Sequence, residues 1–413
     1  MGVVKVTKND LADDVESALS IVLRVGLLLF LFGTVSLNGD INATSKLYLI
    51  NFLALVSLGH FLLTKSWYEY VRSSSRLFTG GLAAFVILSL MALLLSYGST
   101  HSLLGGEGYR LGYLALISAV AVGLSAKQII SRKNLIWYYA GSLVMLIVSL
   151  SYYFVILRLP SRLAWPITLS NNLALLLAVA FMIGIYITNR SNWRIIVMGQ
   201  IFLLVGILLT QSRAVLLLTI AVGGAYLVSR YGKKLVRRNH RHYSWLMLGM
   251  VIILTLIFLW LAPTRLKSSN YFKTSLLYRL ELQKHGLEMT LIKPLTGIGP
   301  DAVQFYFDDG ISYGMHLEAT MKQGYKFMST HSIYLDKFIE YGLITGLIFC
   351  SLIVRALWLG YKHSSRQLGA ITSVVFVLFC LYGLVDFFSL ETMVLFWLGL
   401  LYLNISSLTA DSA

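Results

Sequence analysis

Residues 208–218 read LLTQSRAVLLL, and Arg213 is the only formally charged residue between Ile195 and Val228. Burying a guanidinium in hydrocarbon costs at least ~2.5–3.5 kcal/mol, so a charge in such a stretch marks a functional group by default. Four more groups with chemistry to offer stand at the edges of apolar runs or between them. They are Arg265 just after Pro263, Arg279 in YRLELQKHGLEMT, His331 in THSIYLDKFIEYG and Asp386 in YGLVDFFS. Taken singly, each has a plain structural explanation: an interfacial anchor, a solvated or helix-paired arginine, a histidine at a helix start, a carboxylate at a helix end. Taken together, they form an inventory for holding a diphosphate and moving a proton. Arginine grips phosphate oxygens through paired, charge-assisted hydrogen bonds and keeps its charge at any physiological pH. An imidazole exchanges protons close to neutrality.

The elements that must position these groups are membrane helices. The chain has 413 residues, 57% hydrophobic and 13% charged, about half the charged fraction of a soluble domain. Apolar runs recur at 18–36, 47–63, 77–96, 111–126, 135–157, 170–188, 195–211, 213–229, 244–262, 333–357, 368–386 and 391–407. Backbone in lipid must satisfy its own hydrogen bonds, so these twelve runs are expected to be helices of an all-α polytopic membrane protein. The first run lacks a cleavage-site pattern and reads as a retained span. Lysine and arginine crowd alternate connections, densest from Arg230 to Arg241. That bias places the crowded set and both termini in the cytoplasm, with Arg213, Arg265, Arg279, His331 and Asp386 on the outer side. Arg24 and Arg355 are expected near the cytoplasmic ends of their spans, where they reach the headgroups. The net charge of +16 belongs to those loops and to anionic lipid, and no nucleic-acid module accompanies it. Cys350 and Cys380 fall inside spans and read as structural thiols.

Three regions follow: residues 1–262 with nine spans, an outer loop over 263–332, and residues 333–413 with three spans and a cytoplasmic tail. The loop is too long to lack structure of its own. Residues 274–293 carry Leu276, Leu277, Leu280, Leu287 and Leu291 at helical spacing ahead of Pro294 and Gly297, which predicts an amphipathic helix at the outer interface. A shorter helix is expected over 316–327. The 34 residues from Ile195 to Val228 would make about 51 Å of helix, too long for a core of ~30 Å. The only polar cluster at which to turn is Thr210-Gln211-Ser212-Arg213. Arg213 therefore sits at a tight outward turn, with Gln211 and Ser212 as candidate ligands beside it.

Missing motifs narrow the chemistry. There is no G-x-x-x-x-G-K-[ST] loop, and Gly297-Ile298-Gly299 lacks the third glycine and preceding strand of a dinucleotide site. No H-E-x-x-H, paired cysteines or outer Asp-x-Asp is present, so neither a metal nor another cofactor is expected.

The sequence resembles the bacterial O-antigen ligase and polymerase superfamily. TQSRA lies at a hairpin between spans; Arg279 leads to Pro294-Leu295-Thr296-Gly297-Ile298-Gly299; and His331-Ser332-Ile333-Tyr334-Leu335 opens the next span. The resemblance is specific over about 205–345 and elsewhere rests on hydropathy. It implies a GT-C-type fold with a large periplasmic loop between spans nine and ten. It also implies a glycosyltransferase of the bacterial inner membrane, with its active site facing the periplasm and no need of metal or ATP. The donor would be a glycan on undecaprenyl diphosphate, and the ligase acceptor a sugar hydroxyl of lipid A–core oligosaccharide. Carried over by motif, Arg213 and Arg279 hold the diphosphate and His331 is the catalytic imidazole. Arg265, Asp386, Gln211, Ser212 and Tyr334 are weaker substrate-binding candidates. Transfer by one displacement would invert the anomeric carbon. Two other functions stay open: an O-antigen polymerase of the same superfamily, and a glycolipid transporter or flippase. The transporter would call for broken helices and charges at mid-membrane.

Overall fold

The computed structural model describes residues 8–32, 43–63, 75–96, 98–106, 111–152, 154, 163, 170–188, 192–235, 269–303, 329–362 and 367–406. Every element among them is helical: α1 (Lys8–Phe32), α2 (Ala43–Leu63), α3 (Arg76–Leu94), α4 (Ser99–Leu104), α5 (Tyr113–Leu124), α6 (Ala126–Ile129), α7 (Arg132–Ser151), α8 (Ser170–Ile187), α9 (Trp193–Leu209), α10 (Arg213–Leu235), α11 (Ser269–Thr290), α12 (Ile333–Lys362), α13 (Gln367–Tyr382) and α14 (Leu390–Ser406). Eleven of the expected spans fall on these helices; the run at 244–262, the helix at 316–327 and Arg265 lie outside the described residues. Six helices are long and apolar enough to cross a membrane, and shorter apolar helices pack beside them. The protein is an all-α polytopic membrane protein.

The bundle is built around α8. Beyond its two leading asparagines this helix is apolar on every face, and Asn172 to Ile187 are all buried, as expected of a helix surrounded by others. Its neighbours are α7, α9, α10 and α13. The Gln200 side-chain amide donates to the Phe181 carbonyl at 2.8 Å, and a Cβ on Gly206 would lie 3.0 Å from Leu177. Hence α9 runs antiparallel to α8. The chain turns at Thr210–Ser212, where Gln211 has φ 57°, and α10 returns parallel to α8, with Gly223 against Met182 and Phe181. The tight turn expected at TQSR is therefore present. At the end of the bundle where α8, α10 and α14 begin, Lys46 of α2 and Glu391 of α14 form an ion pair whose side chains are 4% and 5% exposed.

The expected uninterrupted span over 333–357 is corrected by the structure: α12 is broken at Gly342, with φ 82° and ψ 169°. The segment PLTGIG fills the break. Leu343 N–H donates to Pro294 O at 2.7 Å, Ile298 N–H to Ile339 O at 3.0 Å, and Gly299 N–H to Glu340 O at 3.0 Å. Such contact leaves no room for side chains on the backbone. A Cβ on Gly297 would lie 2.2 Å from Glu340 O, and one on Gly342 2.3 Å from Leu295 O, with both residues at positive φ. This explains why glycines stand at 297 and 342, which no dinucleotide motif required. The Gly342→Ala protein should lose at least ~1–3 kcal/mol of stability from backbone strain alone, read as a lowered melting temperature in detergent. An unchanged melting temperature would contradict the splice.

Residues just beyond the motif continue the attachment. Asp301 N–H donates to Glu340 Oε1 at 3.0 Å, and its Oδ2 accepts from Gly106 N–H at 2.6 Å. Burial pushes the Asp301 carboxyl up to about 6, against the lowering pull of the Gly106 hydrogen bond and the Lys337 charge. The folded state thus binds this proton more tightly than the unfolded chain, whose aspartates titrate near ~3.9. Stability contributed here is complete below about 4 and declines as pH rises through about 6. The Asp301→Asn protein should show a shallower fall of melting temperature across that window than wild type.

Candidate active site

His331 stands two residues before α12, in a left-handed conformation with φ 57° that costs an ordinary L-residue roughly 1–2 kcal/mol. The chain around it holds that conformation in place. Asp336, in the first turn of α12, accepts from Ser329 Oγ at 2.5 Å, from Thr330 N–H at 3.0 Å and from Thr330 Oγ1 at 2.7 Å. Ser329 Oγ in turn accepts from His331 N–H at 3.0 Å. Ile333 N–H donates to Gly383 O at 2.9 Å, which docks the start of α12 on the end of α13 and brings His331 beside the turn holding Asp386.

There the ring Nδ1 meets Asp386 Oδ1 at 2.9 Å. The other carboxylate oxygen accepts from the Asn171 side-chain amide at 2.6 Å, and Phe387 N–H donates to Oδ1 at 3.0 Å. The His331 side chain is 26% exposed and that of Asp386 only 5%. Burial alone would raise the Asp386 carboxyl. The hydrogen bond and charge of His331, the charge of Arg279 and the Asn171 amide outweigh it and hold the group below the usual carboxylate range. A carboxylate only accepts, so Nδ1 must carry the proton, and in the neutral ring Nε2 then keeps its lone pair toward whatever enters. This is the orientation of a histidine base held by a carboxylate.

Arg279 reaches this group from α11. That helix packs on α12 through Leu282, Gly286 and Met289; Gly286 touches Thr330, Leu335 and Ile339. Arg279 and Gln283 lie on the same side of the helix, at three- and four-residue spacing from that buried face. Gln283 Nε2 contacts Leu384 O at 3.5 Å, and the Arg279 charge is felt by Asp386. Of the two helix partners the sequence offers Arg279, Glu281 and Glu288, the second pairs with His285 at 3.1 Å. The leucine stripe at Leu280, Leu287 and Leu291 is exposed, on the side facing away from the protein.

Arg213 begins α10 and is half-buried. Its level follows from the helix register. Gly223 meets Phe181 and Met182, and counting ten residues back along each parallel helix sets Arg213 level with Asn171 and Asn172. Packed helices stand roughly 8–10 Å apart, so Arg213 is one helix spacing from the amide that holds Asp386. Gln211 and Ser212 form the turn just before it, with Ser212 N–H on Thr210 Oγ1 at 3.3 Å. Tyr334 is not directed at this site: its hydroxyl donates to the Cys380 carbonyl at 2.8 Å, inside the bundle.

Sequence reasoning missed Asn171, Asn172 and Asp336. Asn172 Oδ1 accepts from Ser389 N–H at 3.1 Å and Thr392 Oγ1 at 2.9 Å, fixing the start of α14 next to the Asp386 turn. Two adjacent amides opening an otherwise wholly apolar helix were the available signal.

Residues 198–350 match the family model described as O-antigen ligase. A comparison with curated proteins finds no match. The matched stretch carries Arg213, Arg279, the PLTGIG segment and His331; Asn171 and Asp386 are added to them by the fold from outside it. This match supports membership of the O-antigen ligase and polymerase superfamily.

Proposed function

We propose that this protein is an O-antigen ligase. It transfers a glycan from undecaprenyl diphosphate to a sugar hydroxyl of lipid A–core oligosaccharide, at the periplasmic face of the bacterial inner membrane. The observation that carries this reading is the chain Asn171–Asp386–His331, with the Arg279 charge beside it. His331 Nε2 takes the proton from the acceptor hydroxyl as that oxygen bonds to the anomeric carbon. The bond from that carbon to the diphosphate oxygen breaks on the opposite face, so the configuration inverts. Negative charge grows on the departing diphosphate, where Arg279 and Arg213 receive it more strongly in the transition state than in the ground state. The energy comes from the donor bond, and neither nucleotide nor metal has a part. Arg265 of the outer loop completes the donor side in this scheme, and the exposed leucines of α11 rest on the bilayer.

A carrier would use broken helices to line a mid-membrane cavity. The break in α12 is instead closed by three backbone hydrogen bonds from the PLTGIG segment. The test is reconstitution with purified undecaprenyl-diphosphate glycan and rough lipopolysaccharide, without ATP or metal. Glycan joined to lipid A–core with inverted anomeric configuration is the expected product. Elongation of the glycan on its lipid carrier would make the protein a polymerase, and retained configuration would exclude a single displacement.

A further inference from the structure

Away from His331, an apolar hollow of about 110 Å³ opens between α1, α7, α8, α13 and α14. Leu31, Val179, Val375 and Leu395 form much of its wall, and Arg24, Asn134 and Thr372 are its polar members. The hollow is lined by Leu398 and Gly399, eight and nine residues along α14 from Leu390, and so about 12 Å below the turn that carries Glu391. Arg24 lines the hollow beside Asn134, and Phe32, eight residues further along α1, packs on Tyr138, so Arg24 stands level with the start of α7. The Arg24 Nε is buried and finds no hydrogen-bond partner among the described residues.

A guanidinium whose buried Nε has no partner among the described residues, set against an apolar wall, calls for an anion that brings hydrocarbon with it. The hollow has both parts. Asn134 and Thr372 lie near the starts of α7 and α13, whereas Leu31 and Leu395 continue the apolar wall deeper into the bundle. Lys127, Arg132 and Lys133 stand at the same end and are exposed, so an anionic headgroup is favoured there. In size the space falls somewhat below the ~150 Å³ apolar cavity that admits a benzene ring, enough for the end of one chain.

We propose that this hollow is a binding site for an anionic phospholipid of the cytoplasmic leaflet, its phosphate on Arg24 and one acyl chain along Leu31, Val179 and Leu395. The proposal is independent of which glycan is transferred. The full chain would be purified in mild detergent, and its retained lipid extracted and identified. Thermal stabilisation by phosphatidylglycerol would be compared with that by phosphatidylcholine. Wild type should retain phosphatidylglycerol and be stabilised by it selectively. Arg24→Gln should weaken phosphatidylglycerol binding by about tenfold, a change of about 1.4 kcal/mol, and remove the preference over phosphatidylcholine. Val375→Phe, which fills the hollow and keeps the charge, should lose the retained lipid of either kind. Equal stabilisation of wild type by both lipids would overturn the proposal. So would unchanged phosphatidylglycerol retention in both variants, or displacement of the phospholipid by polyprenyl phosphate, which would give the hollow to the donor's tail.

Discussion

Replacing His331 should slow transfer by about 10²–10⁴-fold, the usual contribution of a positioned general base, with little change in the protein's melting temperature. The choice of variant matters because the backbone there is left-handed, with φ 57°. Asparagine tolerates that conformation better than alanine, so His331→Asn removes the base and spares the turn held by Ser329, Thr330 and Asp336. The loss should appear in kcat, since proton removal from the acceptor belongs to the chemical step. Asp386→Asn gives the companion result. An amide at 386 can donate to Nδ1, which then no longer has to carry the proton, and the base is offered in the wrong tautomer. Rates within tenfold of wild type for His331→Asn, in protein shown to fold, would remove the imidazole from the mechanism.

The second large effect concerns the arginines. Arg279→Ala should lower kcat by about 10²–10³-fold, as for loss of one preorganised donor to a developing oxyanion. Arg279→Lys should recover only part of it, because an ammonium keeps the charge but not the planar fork that matches phosphate oxygens. Arg213→Ala should be of similar size if both guanidiniums act on one diphosphate. Helix register alone puts Arg213 level with Asn171, so the double variant is the stronger measurement. Two groups on one leaving group should couple by ~0.5–3 kcal/mol, making the combined loss differ from the product of the single losses. Strict multiplicativity would separate Arg213 from the Arg279 site.

Much of the fold was legible because lipid restricts the backbone to helices, and hydropathy then marks them. Arg213 was legible for the same reason: one charge in thirty-four otherwise uncharged residues has few places to go. His331 and Asp386 were visible as residue types but not as a pair. Fifty-five residues separate them, and only the docking of Ile333 on Gly383 brings them together. Asn171 was passed over because an amide at a helix start is commonplace in sequence, even beside a second amide ahead of an apolar helix. Its role depends on α8 passing beside a turn more than two hundred residues away. Gly342 was missed because hydropathy runs smoothly through the break, while the partner that fills the gap lies upstream at residues 294–299.

The splice between PLTGIG and α12 also bears on how this architecture can be re-engineered. A hybrid that grafts a foreign outer loop onto this bundle inherits a lock without its key unless the matching stretch around Tyr341-Gly342-Leu343 is transplanted with it. The loop is therefore best exchanged as a cassette running from Arg279 through Leu343, with both halves of the joint taken from the same parent.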